Sequence, residues 1–268
     1  MQLENPIVKN AQEFLNLDDL ADPKFWSSVS DTMSKTVPLA VVLPSGRHKD
    51  SKSGHLALIS DALYTYEIVL EIEKLARLGG LNGVNVESML DIDYYESYME
   101  AKKESRVSIV DSPSSIVNAN LLLLATADIN VVSEILLDQC KSIETYHIGY
   151  EKPYHSCVIL GGKNRTYTDR SSSNVGVLGI YRIPWTKENR IAMFCGGIFA
   201  PGTLAASVLL IKYLRGQEKG NNMYRKDIPL RIVKADLKTY RHSDLMDPEQ
   251  CQPPHKLQNI DMNVQLVE

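Results

Sequence analysis

Residues 190–215 constrain the fold more than any other stretch. Arg190 opens an apolar run through Phe194; Cys195, Gly196 and Gly197 follow; then Pro201, Gly202 and Thr203 lead into a mostly apolar segment, 204–215. That order reads as a buried strand, a Gly/Pro turn and a buried helix. In α/β proteins such a junction lies at the carboxyl end of a strand, where helix amides can face an anion.

The rest of the chain repeats this alternation. Residues 37–43 are continuously apolar and end at Pro44, Ser45 and Gly46. Unbroken apolarity suits a central strand covered on both faces. A basic loop follows, and then a helix over 56–78, with Leu58, Ile59, Ala62, Tyr66, Val69, Ile72 and Leu75 at helical spacing and Gly79-Gly80 as the stop. Residues 84–86 and 106–111 read as short strands and 94–103 as a helix. A second buried strand spans 120–125, with Asp128 as the cap of a helix over 131–140. Residues 155–160 read as a strand, 175–183 and 191–194 as an antiparallel hairpin, and 228–233 as a last strand. These elements predict an α/β, Rossmann-like three-layer sandwich, its sheet mostly parallel with an antiparallel pair. Residues 1–36 read as a helical lead-in, 37–235 as the α/β domain and 236–268 as an extended tail.

Composition narrows the partners. A chain of 268 residues, 44% hydrophobic and 23% charged, can bury an ordinary globular core. A net charge of -4 argues against a generic binder of nucleic acid. No apolar run is long enough for a membrane span, and the first residues lack the pattern of a signal peptide. Cys140, Cys157, Cys195 and Cys251 form no CxxC pair, so the expectation is a cytoplasmic chain with reduced thiols.

Ligands of parallel sheets sit beyond the carboxyl ends of the strands. Four such ends carry candidate groups: Arg47 and Lys49; Asp128 and Asn130; Lys163 and Arg165; and Gly196, Gly197, Gly202 and Thr203. If the four share one rim, the cations neutralise a small anionic ligand such as a nucleotide. The glycine and Thr203 amides cradle it, and Asp128 or Asn130 receives a hydroxyl. An antiparallel strand at Cys157 would carry Lys163 and Arg165 to the other rim. No GxxxxGK[ST] or GxGxxG motif supports a particular phosphate. The cofactor, if any, is not named by these residues.

Other residue types carry weaker alternatives. Cys195 is either a nucleophile on a tight turn or a small buried hydrophobe. His242, Asp244, Cys251 and His255 are metal-ligand types in the tail, without the tight pairing of a structural zinc site. Asp91, Asp93, Glu96 and Glu100 read as a solvated helix face, and Trp185 as a plug at the edge of the core.

Two segments, 120–130 and 175–206, are similar to the Rossmann-like domain of archaeal S-layer-type proteins and of uncharacterised prokaryotic relatives. Shared features are the apolar strand and Asn turn, the Pro184-Trp185 hairpin, and the helix start at Gly202-Thr203 with Ala205-Ala206. The resemblance implies a fold and no catalytic residue. Three readings follow: a sensory or binding domain; a hydrolase or transferase of a nucleotide or sugar, with Asp128 or Cys195 reactive; and a structural protein that binds a protein partner or a second copy.

Overall fold

A computed structural model describes residues 15–45, 64–104, 116–125, 129–139, 147–151, 154–159, 165–168, 175–186, 188–197, 200–218, 230–235 and 264–266. The strands are β1 (Thr36–Leu43), β2 (Gly83–Leu90), β3 (Asn120–Leu124), β4 (His147–Glu151), β5 (Tyr154–Ile159), β6 (Arg165–Thr168), β7 (Val175–Arg182), β8 (Ile191–Gly197), β9 (Leu230–Ala235) and β10 (Val264–Leu266). The helices are α1 (Pro23–Ser28), α2 (Thr65–Leu78), α3 (Asp91–Glu104), α4 (Val131–Gln139) and α5 (Ala200–Leu214).

Seven strands form one sheet in the order β10-β9-β7-β8-β3-β1-β2. Neighbours from β2 to β8 run parallel, and β7 returns antiparallel to β8 as the hairpin pattern predicts. The antiparallel direction continues through β9 and β10, so a strand from the C-terminal tail closes this end of the sheet. β4, β5 and β6 make a separate antiparallel sheet.

Alternation along the strands divides the core into two layers. Leu39, Val41, Leu122, Leu124, Met193 and Cys195 face α2, α5 and the lead-in. Ala40, Val42, Leu121, Leu123, Ala192 and Phe194 face α3 and α4. Because strand residues alternate in direction, a run apolar at every position must be covered twice. The helix joining β1 to β2 therefore lies on one face and the helix joining β2 to β3 on the other. The order in which successive strands are added reverses at β1, whose neighbours are β2 and β3. This is the switch point of a doubly wound sheet.

Helix α2 shows how local sequence sets these elements. Ile68, Ile72, Leu75 and Ala76 make its buried stripe. Gly80, at φ +83°, takes the left-handed conformation that ends it. The Gly80 N–H donates to Arg77 O and the Leu81 N–H to Ala76 O, both at 3.0 Å, which satisfies the last carbonyls. In the lead-in, Leu17, Leu20 and Trp26 are buried, and the Trp26 indole N–H donates to Leu20 O at 2.9 Å. No helix among the described residues is long and apolar enough to cross a membrane.

Candidate functional site

The parallel strands β1, β2, β3 and β8 bring their carboxyl ends to one rim. Asp91, the first residue of α3, sits there fully buried. Its Oδ1 accepts the Ser45 N–H beyond β1, and its Oδ2 accepts the Val131 N–H that begins α4, each at 2.7 Å. This carboxylate occupies the place at a helix N-terminus where a bound anion would lie. Asp91 is therefore not part of a solvated face, whereas Asp93, Glu96 and Glu100 are exposed on the same helix.

Asn130 is also fully buried. Its Oδ1 caps α4 by accepting from Val132 N at 3.0 Å and Ser133 N at 3.2 Å. Its Nδ2 donates to Val42 O at 3.3 Å and Leu124 O at 2.9 Å. Both amide hydrogens and both acceptor positions are thus engaged inside the fold. Asn130 is thus the residue that caps this helix; Asp128, the expected cap, lies outside the described residues. At the end of β3, Ala125 adopts φ +72°, a left-handed conformation that favours glycine. Its N–H donates to Cys195 O at 2.9 Å, and its own carbonyl accepts from Ser133 Oγ at 3.2 Å.

The glycines of the opening motif have a packing role. A Cβ on Gly197 would stand 2.3 Å from Thr203 N, one on Gly202 2.1 Å from Val175 O, and one on Gly176 1.9 Å from Gly202 O. The first turn of α5 thus lies directly on the backbone of β7 and β8, a contact that only hydrogen side chains permit. Helix α5 begins at Ala200 rather than near Leu204, and β8 runs through Gly196 and Gly197, so the expected turn is shorter than the sequence suggests. Thr203 is buried, and its carbonyl accepts from Ser207 Oγ at 3.0 Å.

Cys195 is fully buried. Burial pushes its thiol up to about 12 from an ordinary 9.0, against a hydrogen bond with Ser207 that lowers it. A thiol so enclosed is held protonated and is a small hydrophobe, not a nucleophile. Trp185 is a plug as expected: it is buried, its indole N–H donates to Tyr94 Oη at 3.2 Å, and its ring meets Tyr98 edge-on at 5.4 Å.

Arg47, Lys49, Asp128 and Lys163 lie outside the described residues, as do His242, Asp244, Cys251 and His255. Arg165 begins β6, whose partner β5 carries Cys157; both belong to the separate antiparallel sheet. The third of the four expected carboxyl ends is therefore not an end of the main sheet, and the expected convergence of four ends reduces to β1, β3 and β8. Among the described residues no group of three or more His, Cys, Asp or Glu side chains is placed to hold a metal ion.

Sequence reasoning missed two ties at the opposite rim. Asn120, fully buried, donates to Val29 O at 3.0 Å and Pro38 O at 2.9 Å, and accepts the Ile191 N–H at 3.0 Å. Arg190, only 3% exposed, donates to Asn118 O and Val29 O, each at 2.8 Å, to Ser30 O at 3.1 Å, and to the Glu188 carboxylate. Burial moves the Arg190 guanidinium below its ordinary value, and Glu188 and Asp31 oppose that.

Comparison of the chain with protein-family models, curated proteins and solved structures gives no match. Fold and rim together define an α/β protein with a doubly wound half and an antiparallel extension.

Proposed function

We propose that this chain is a cytoplasmic, Rossmann-like binding domain for a small anionic ligand, of which a nucleotide is the leading class. The observation that carries the reading is the reversal of strand order at β1. In doubly wound proteins the ligand crevice lies beyond the carboxyl ends of the strands at such a reversal, which here are the neighbours β1 and β3. The left-handed Ala125 marks the β3 side of that crevice, and backbone strain of this kind concentrates at functional sites.

The geometry divides the labour among the candidate residues. Asp91 and Asn130 already engage the first amides of α4, so this helix end offers an anion no open donor. The ligand's charge is therefore met by side chains that follow β1, chiefly Arg47 and Lys49. Asp128, three residues after Ala125 in sequence, is the acceptor for a hydroxyl. Gly196, Gly197, Gly202 and Thr203 hold α5 against the strands, so they build the rim rather than touch the ligand. Segments 120–130 and 175–206, similar to the Rossmann-like domain of archaeal S-layer-type proteins, supply that scaffold.

Calorimetric titration with ADP and with a nucleotide sugar tests this reading. The expected result is saturable binding of at least one of them, weakened about tenfold or more in an Arg47→Ala, Lys49→Ala double variant. Absence of binding by both, or an unchanged Kd in the double variant, overturns it.

A further inference from the structure

Among the described residues β2 ends the main sheet on its parallel side, with β1 as its one neighbour. Residues 85–88 of this strand are exposed. Register fixes which of its backbone groups point outward. The Pro38 carbonyl faces β3, where it accepts from Asn120 Nδ2. Alternate residues direct their backbone groups to opposite sides, so Leu39 and Val41 face β2. Leu39 lies opposite Val86, and in a parallel ladder it bonds the residues flanking its partner, Asn85 and Glu87. Val84, Val86, Ser88 and Leu90 therefore turn their N–H groups outward. Val84 agrees with this: its N–H donates to the Glu73 carboxylate of α2. The N–H groups of Val86, Ser88 and Leu90 have no ladder partner among the described residues.

Apolar surface borders this open edge. Leu39 belongs to the core layer under α2, so Val86, and with it Ser88 and Leu90, takes the α2 side of the sheet. Glu73 marks the side of α2 that lies along β2. Leu70 and Tyr66, three and seven residues earlier, continue that stripe toward the carboxyl end of the strand. Val86 is 40% exposed, Leu90 38%, Leu70 46% and Tyr66 73%.

The open edge is complementary to itself. Glu73 closes it at Val84, and after Leu90 the chain enters α3. The free stretch is thus 86–90, with Ser88 at its centre. Two such stretches, antiparallel about Ser88, set Val86 opposite Leu90 on both sides of a Ser88–Ser88 pair, and Glu87 opposite Met89. Apolar and hydroxyl pairs of this kind stabilise a ladder. An axis at Glu87 would oppose two carboxylates directly, which is destabilising. An axis at Val86 would bring in Val84, whose N–H is already taken.

We propose that a second copy of this chain pairs antiparallel along residues 86–90 of β2, joining the two main sheets through a two-fold axis at Ser88. The axis stands perpendicular to the sheet, so both α2 helices share one face and the Tyr66 and Leu70 side chains of each copy border the joint. An edge that is flat, partly apolar and free of Pro and Lys is otherwise a template for uncontrolled pairing.

Light scattering after gel filtration of the full chain, at about 50 μM, tests the proposal. The expected mass is twice that of one chain. Val86→Lys should weaken the dimer about tenfold or more while keeping the circular dichroism of the folded chain, because this side chain is already exposed. Leu78→Lys, equally exposed but on the far side of α2 from Glu73, should leave the dimer unchanged. Ser88→Cys should form a covalent dimer under copper-phenanthroline oxidation, well above the level of the unsubstituted chain, and Asn85→Cys, far from its equivalent in this register, should not. If Val86→Lys fails to fold, the Ser88→Cys and Asn85→Cys pair carries the test. A monomer, a dimer unmoved by Val86→Lys, equal weakening by Leu78→Lys, or cross-linking no greater at position 88 than at 85 overturns the proposal.

Discussion

Cys195 stands at the centre of the motif that marks this chain, and its surroundings remove the reactivity its position suggests. The thiol is enclosed on the α5 side of the sheet, among Met193, Leu124 and Leu209. Its folded-state value of about 12 lies above the ordinary 9.0, so between these values the unfolded chain gives up a proton that the folded chain retains. Stability from this group is complete below about pH 9 and is lost as pH rises toward about 12. Tyr94, raised chiefly by burial, acts in the same direction. The urea midpoint should therefore hold steady from about pH 7 to about pH 9 and then fall, and Cys195→Ala should make the fall shallower. An identical profile for the variant would contradict the burial argument. Enclosure of Cys195 was legible in its apolar neighbours. The roles of Asn120 and Arg190 were not, because each acts on backbone groups distant in sequence that only the folded sheet brings near.

Between elements, short polar side chains set the spacing of the parallel strands. Asn120 ties β1, β8 and the lead-in at the amino rim, and Asn130 ties β1, β3 and α4 at the carboxyl rim. Asp91 joins the exit of β1 to the start of α4 across the first residue of α3. Asp91→Ala should leave two backbone N–H groups without their partner and cost about 3 kcal/mol, read as a lower urea midpoint. A loss below about 1 kcal/mol would mean that water replaces the carboxylate and that the tie is weak. The strands 37–43 and 120–125 were readable because unbroken apolarity leaves few alternatives. The sequence signals a strand only over 84–86, whereas β2 is eight long, because Glu87 and Ser88 are exposed at the sheet edge and break the apolar pattern there. From sequence, the glycines at 196, 197 and 202 read as open to a ligand. Sequence marks where backbone must approach something closely, but does not say whether a phosphate or a helix approaches.

For the molecule as a whole, the decisive property is strand order. The elements were visible along the chain, and the α/β layering follows from their alternation. Which strands are neighbours depends on crossovers through segments of mixed character, so the switch point at β1 and the separation of β4, β5 and β6 emerged only in the fold. The central claim is that the crevice between the ends of β1 and β3 receives the anionic ligand. Amide hydrogen exchange with and without saturating ADP tests it most directly. The account predicts slowed exchange in peptides covering 43–50 and 124–131, with little change in peptides covering 31–36 and 116–119. Unchanged exchange at the first pair, or slowing confined to the second, would contradict it.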